Sequence, residues 1–111
     1  MRGEIWTLRD GTYASKARPA VVVQSELDHS FGSVILCLFT SYESGHISTR
    51  VKIEPNAENG LTKISFVMTE KLLAVDKKML GEKVGCLTVE QMIEVSRQLA
   101  KILEIKKEYL D

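Results

Sequence analysis

Arg18 stands immediately before Pro19, where the polar stretch Arg9 to Ala17 (RDGTYASKA) gives way to the apolar run PAVVVQ. A guanidinium placed there offers a planar fork of N–H donors that grips an anion at two points and keeps its charge. Proline fixes the backbone just after it. Thr40 follows a second apolar run, Ser33 to Phe39, and a hydroxyl at a strand end can bond an anionic oxygen or orient a neighbouring hydroxyl. His46, in the polar stretch Ser41 to Thr49, carries an imidazole that titrates near neutrality and is able to serve as a base. Lys16 and Lys71 are cations of the kind that contact phosphates. By residue type alone each has a plainer alternative: a solvated surface charge, an exposed loop imidazole, or a threonine satisfying its local backbone. His29 has no supporting context.

The elements that must position these groups are short. Glu4 to Leu8 reads as a first strand, and Trp6 within it as a packing residue rather than a stacking platform. Pro19 to Gln24 contains three consecutive valines, a β-branched run suited to a strand buried on both faces. Ser33 to Phe39 is a third strand, and Arg50 to Glu54 alternates basic and apolar residues like a half-exposed fourth. Asn59-Gly60 marks a tight turn. Ile64 to Met68 and Glu82 to Leu87 complete the strands, with a short helix expected between them at Asp76 to Leu80. Thr88 with Gln91 forms a capping box, and Met92, Val95, Leu99 and Ile102 then recur at three- and four-residue intervals. They predict a helix running to about Ile105, with one apolar stripe packed across the sheet. Six short strands and one long C-terminal helix suggest a mainly β domain with a small, strongly curved sheet or barrel.

Composition sets limits. A chain of 111 residues is expected to form one domain, with a real core but no large enclosed cofactor site. Fifteen basic and fifteen acidic residues cancel, which counts against gripping duplex DNA by its phosphates alone. A local basic cluster for a single strand remains compatible. No apolar run approaches a membrane span, and MRGEIWTL lacks the apolar core of a secretion signal, so a cytoplasmic location is expected. Cys37 and Cys86 lack metal-ligand spacing and read as reduced, buried thiols.

Several stretches together resemble the MazF/PemK family of toxin–antitoxin ribonucleases. Arg2-Gly3-Glu4-Ile5-Trp6 is similar to that family's first-strand start, and Arg18-Pro19 with AVVVQSE to its loop arginine, proline and apolar strand. Leu38-Phe39-Thr40-Ser41 resembles its third-strand ending, Ile53-Glu54-Pro55 through Leu61 a turn of one family branch, and Val67 to Leu80 the next strand and short helix. The likeness covers nearly the whole chain in order. It implies an SH3-like small barrel of the MazF/PemK/CcdB type with a long C-terminal helix. It further implies a homodimer, cleavage of single-stranded RNA without metal or cofactor, and inhibition by a cognate antitoxin whose extended tail fills the same groove. No direct DNA binding by the toxin alone is expected.

Such cleavage would use the RNA 2′-hydroxyl as nucleophile on the adjacent phosphorus, leaving a 2′,3′-cyclic phosphate and a 5′-hydroxyl. The resemblance casts Arg18 as the catalytic arginine, stabilising charge first and donating a proton second, Thr40 as the active-site threonine, and Glu70 as the proposed base. It also casts Thr12, Tyr13, Lys16, Ser41, His46 and Lys71 as RNA contacts, Thr12 in place of a serine hydroxyl and Tyr13 as a stacking face. Leu73 and Met68 stand where relatives carry arginines, so a two-residue acid–base scheme does not transfer intact. The main alternative is a CcdB-like gyrase poison, with a similar segment at Val23-Gln24-Ser25-Glu26. The chain ends Glu108-Tyr109-Leu110-Asp111, however, and not in the Trp-Gly-Ile on which CcdB depends. A second alternative is an interaction domain of the same fold that has lost catalysis.

Overall fold

A computed structural model describes residues 1–9, 18–26, 31–42 and 46–111. Of the residues singled out above, Thr12, Tyr13, Lys16 and His29 lie outside this set. The strands are β1 (Glu4–Leu8), β2 (Arg18–Val22), β3 (Ser33–Thr40), β4 (Val51–Ile53), β5 (Ser65–Asp76) and β6 (Leu80–Cys86), followed by helix α1 (Val89–Ile102). They form one antiparallel sheet in the order β4-β5-β3-β2-β1-β6.

Alternation along the strands divides the core in two. Ile5, Val21, Cys37, Phe39, Val51 and Val67 point to the face that Met92 and Val95 of α1 cover. Ala20, Val22, Val34 and Leu36 point the other way, with Trp6, Leu8, Leu38 and Leu73 packed around them. The valine run therefore serves both faces, as its unbroken apolar character requires. Trp6 is a packing residue, and its indole N–H donates to Glu4 Oε1 at 3.0 Å. The helix begins with the expected capping box: Gln91 N–H donates to Thr88 Oγ1 at 3.1 Å, and Thr88 N–H to Gln91 Oε1 at 2.9 Å. At 14 residues α1 is marginal alone, so the burial of Met92 and Val95, worth about 1.5–3 kcal/mol each, holds it to the sheet. It stops at Ile102 rather than near Ile105; Glu104 turns left-handed at φ 54° and the Ile105 amide closes back on the Ala100 carbonyl at 2.8 Å.

The structure departs from expectation in several places. The mainly β sheet with its C-terminal helix is present, but strand pairing does not close it into a barrel; among the described residues β4 and β6 remain edges. A turn bridges the gap instead. Asn59 is fully buried, accepts from the Asn56 and Leu61 amides at 3.1 and 3.0 Å and donates to the Glu54 carbonyl at 2.9 Å. The turn it stiffens carries the Glu58 carbonyl to the Cys86 amide of β6, at 3.0 Å, and Gly60 takes the left-handed φ of 67°. A second departure is β5, which runs to Asp76 instead of stopping at Met68. Only one 3₁₀ turn, Lys77–Met79, stands where a short helix was expected. The charged pair Glu70-Lys71 breaks the apolar pattern, yet the ladder with β3 resumes beyond it. Cys37 is buried as expected, while Cys86 is exposed; both thiols are free. Among the described residues no helix is long and apolar enough to cross a membrane.

Candidate active site

The β2–β3 ladder pairs Ala20 with Leu38, Val21 with Cys37 and Val22 with Leu36. Continuing that register by two residues sets Arg18 opposite Thr40. Facing residues on adjacent antiparallel strands have β-carbons about 4.5–5.5 Å apart and project to the same side. That side is the one away from α1, since Ala20 and Leu38 share it. Arg18 is exposed and Thr40 half-buried. The Tyr42 amide donates to Thr40 Oγ1 at 3.2 Å. With one lone pair so occupied, the threonine hydroxyl is oriented to send its own proton elsewhere, toward an anionic acceptor.

The row continues across the sheet. Thr40 pairs with Phe66 on β5, and Phe66 with Lys52 on β4, so these three occupy one line on one face, a line that the continued β2–β3 register extends to Arg18. The neighbouring line holds Ala20, Leu38 and Met68, and one further step in the β4–β5 register brings Arg50 opposite Met68. Arg50 grips Glu70: its Nε donates to the two carboxylate oxygens at 3.3 and 3.1 Å, and its Nη2 to Oε2 at 2.6 Å. Hydrogen bonds from Arg50 hold the Glu70 carboxyl below its ordinary value, against a smaller opposing effect of burial. Burial, with the negative charge of Glu70 nearby, pushes the Cys37 thiol up to about 12, so this cysteine is no nucleophile.

The remaining expected contacts among the described residues lie on three separate segments. Ser41 is exposed directly beyond Thr40, His46 is exposed in the connection to β4, and Lys71 is exposed beside Glu70. Glu70, the expected base, is placed with Arg50, not in the row of Arg18 and Thr40. Two residues near the site carry no strong signal in the sequence. Arg50 is visible there only as part of an alternating strand, though that alternation already sets Arg50 and Lys52 on one face. Tyr42 is an aromatic 74% exposed beside Thr40, and its proximity to Thr40-Ser41 is the available signal. Among the described residues no three His, Cys, Asp or Glu side chains are grouped to hold a metal ion.

An open antiparallel sheet with Thr40 and Lys52 on the face away from α1 defines a small, mainly β protein. Residues 1–103 match the model of the PemK-like, MazF-like toxins of type II toxin–antitoxin systems, and the chain belongs to that family. It is 31% identical over 105 residues, 94% of this chain and 96% of the relative, to the "Probable endoribonuclease MazF" of Mycolicibacterium smegmatis. It is 32% identical over 91 residues, 80% of this chain and 75% of the relative, to the endoribonuclease MazF of Staphylococcus epidermidis. Among solved structures, the Mycobacterium tuberculosis toxin MazF-mt6 superposes with a TM-score of 0.78 at 21% identity, covering 93% of this chain and 98% of that one. A MazE–MazF structure from Deinococcus radiodurans superposes at 0.75 and 20% identity, with 95% of each chain covered. At such identities the structures establish the shared fold. The gyrase-poison alternative finds no support in these comparisons.

Proposed function

We propose that this chain is the toxin of a type II toxin–antitoxin system and an endoribonuclease that cleaves single-stranded RNA. What supports the reading is the β2–β3 register, whose continuation two residues past its last pair, Ala20 with Leu38, brings Arg18 opposite Thr40, in a chain of this family. The Arg18 guanidinium spans two phosphoryl oxygens and neutralises the charge that builds as the 2′-hydroxyl attacks phosphorus. Thr40 donates to a third oxygen or holds the attacking hydroxyl in line, its own orientation set by the Tyr42 amide. The 2′-hydroxyl gives up its proton to solvent as O2′ bonds phosphorus, and the leaving O5′ takes a proton from solvent as the P–O5′ bond breaks, giving a 2′,3′-cyclic phosphate and a 5′-hydroxyl. Exposed Ser41 after β3, Lys52 on β4 and Lys71 on β5 supply further hydroxyl and cationic groups for the strand of RNA. Solved relatives include a mycobacterial endoribonuclease with its cognate antitoxin, which supports an antitoxin as this chain's partner. A homodimer acting in the cytoplasm completes the proposal.

The test is incubation of the purified protein with end-labelled single-stranded RNA in EDTA, followed by end-group analysis. Fragments whose 5′ ends accept phosphate from a kinase without prior dephosphorylation are the expected result. Intact RNA would overturn the reading.

A further inference from the structure

Glu70 is an exposed residue held in a built position. Leu38 pairs with Met68 and Cys37 with Leu72, so β5 accommodates three residues, Thr69 to Lys71, where β3 has none. Two adjacent contacts pin this bulge to the approach of β4. Thr69, fully buried, donates from Oγ1 to the Thr49 carbonyl at 2.8 Å, and the next residue on each side forms the Arg50–Glu70 pair. The backbone and the carboxylate are thus both fixed. Of the pair, the acid is the more open member: its side chain is 29% exposed, against 13% for Arg50.

Its distance from the reacting groups indicates what it meets. Because the bulge takes up residues that β3 does not match, Glu70 stands between the levels of Leu38 and Cys37, two to three residues along β3 from Thr40. At about 3.3 Å per residue that is about 7–10 Å of strand. A proton acceptor must come within about 2.6–3.2 Å of the hydroxyl it serves. A carboxylate tied back to Arg50 is poorly placed for a hydroxyl held at Arg18, and well placed for the next nucleotide along the same face. An ionised carboxylate only accepts hydrogen bonds, so it selects base edges that carry amino donors.

Building on the ribonuclease reading, we propose that Glu70 is a specificity-determining residue that reads the amino edge of an unpaired base beside the cleaved phosphate. Arg50 is its positioning residue. Unstacked bases in single-stranded RNA present the required Watson–Crick and Hoogsteen edges. Cytosine, adenine and guanine offer the amino group; uracil offers only its N3–H, flanked by two carbonyl oxygens that repel a carboxylate.

The experiment is cleavage of a randomised RNA library by the full-length protein, with every cut mapped, for the wild type and the variants Glu70→Gln, Arg50→Met and Arg50→Lys. The wild type is expected to disfavour uracil at one fixed position by about tenfold or more. Glutamine adds an N–H donor, so Glu70→Gln should relax that preference toward carbonyl-bearing bases while cleavage continues. Arg50→Met should weaken selection at the same position, and Arg50→Lys should restore part of it. Unchanged preference in an active Glu70→Gln variant overturns the proposal. So does a Glu70→Gln variant that melts like the wild type yet cuts no sequence, because the carboxylate then belongs to the chemistry. A wild-type protein that leaves the library intact sinks the ribonuclease reading itself, a distinguishable result.

Discussion

Gly85 of β6 lies directly against the backbone of Asn59, so closely that a β-carbon there would run into the Asn59 and Glu58 backbone. This contact seats the turn that bridges the open edges of the sheet, where Cys86 N–H meets the Glu58 carbonyl. The obstacle is backbone on both sides, so it yields less easily than a side chain would.

Gly85→Ala is therefore expected to destabilise the fold by about 1–3 kcal/mol, the usual range for overpacking. Thermal melting should show a fall of several degrees. Gly32→Ala is the control, since a β-carbon there meets nothing within 4 Å. Equal melting temperatures for the two variants would mean that the turn moves aside freely.

Arg18→Ala should lower kcat by about 100- to 1,000-fold, the effect of removing one preorganised donor from a developing oxyanion. Arg18→Lys keeps the charge but loses the fork, and should fall between. Thr40→Ala removes a hydrogen bond to a charged group, ~1.5–3 kcal/mol, or about tenfold to a hundredfold in rate. Steady-state kinetics on a defined oligonucleotide would check all three. Rates within twofold of wild type for Arg18→Ala would remove Arg18 from the mechanism.

The two thiols should differ sharply. Cys86 is exposed, whereas Cys37 is buried with its thiol pushed up to about 12. A thiol-alkylating reagent near neutral pH should add one group to the native protein, at Cys86, and a second only after denaturation. Intact mass and peptide mapping read this directly, and two adducts on the native protein would contradict the burial of Cys37.

Stability should depend on acid through Glu70. Its folded pKa lies below the ordinary 4.5, chiefly through hydrogen bonds from Arg50. The unfolded chain therefore binds the proton more readily, and the stabilisation is present above about pH 4.5 and lost as pH falls through the lower folded value. Partial exposure holds the effect to about 1 kcal/mol. Urea midpoints measured downward from about pH 6 should fall less steeply for Glu70→Gln than for the wild type. Parallel slopes would deny the pair this role.

Much of the chain is legible from its residues alone. The valine run at 21–23 announces a strand buried on both faces, the Thr88–Gln91 box and the Met92, Val95 spacing announce the helix, and Asn59-Gly60 announces its turn. These are local signals, because a cap, a β-branched run and a left-handed glycine each express their preference within a few residues. Arg18 and Thr40 stand out by residue type and by family resemblance, but their facing one another belongs to the β2–β3 register.

What escapes the sequence is all non-local. The extension of β5 past Glu70-Lys71 depends on a partner strand that resumes pairing beyond the bulge, which no window of β5 reveals. The sheet's near-closure depends on Glu58 meeting Cys86, 28 positions away in the chain, as the numbering shows. The pairing of Arg50 with Glu70 is hidden for the same reason. Spacing along a strand tells which face a side chain takes, whereas only the ladder between strands decides what stands across from it.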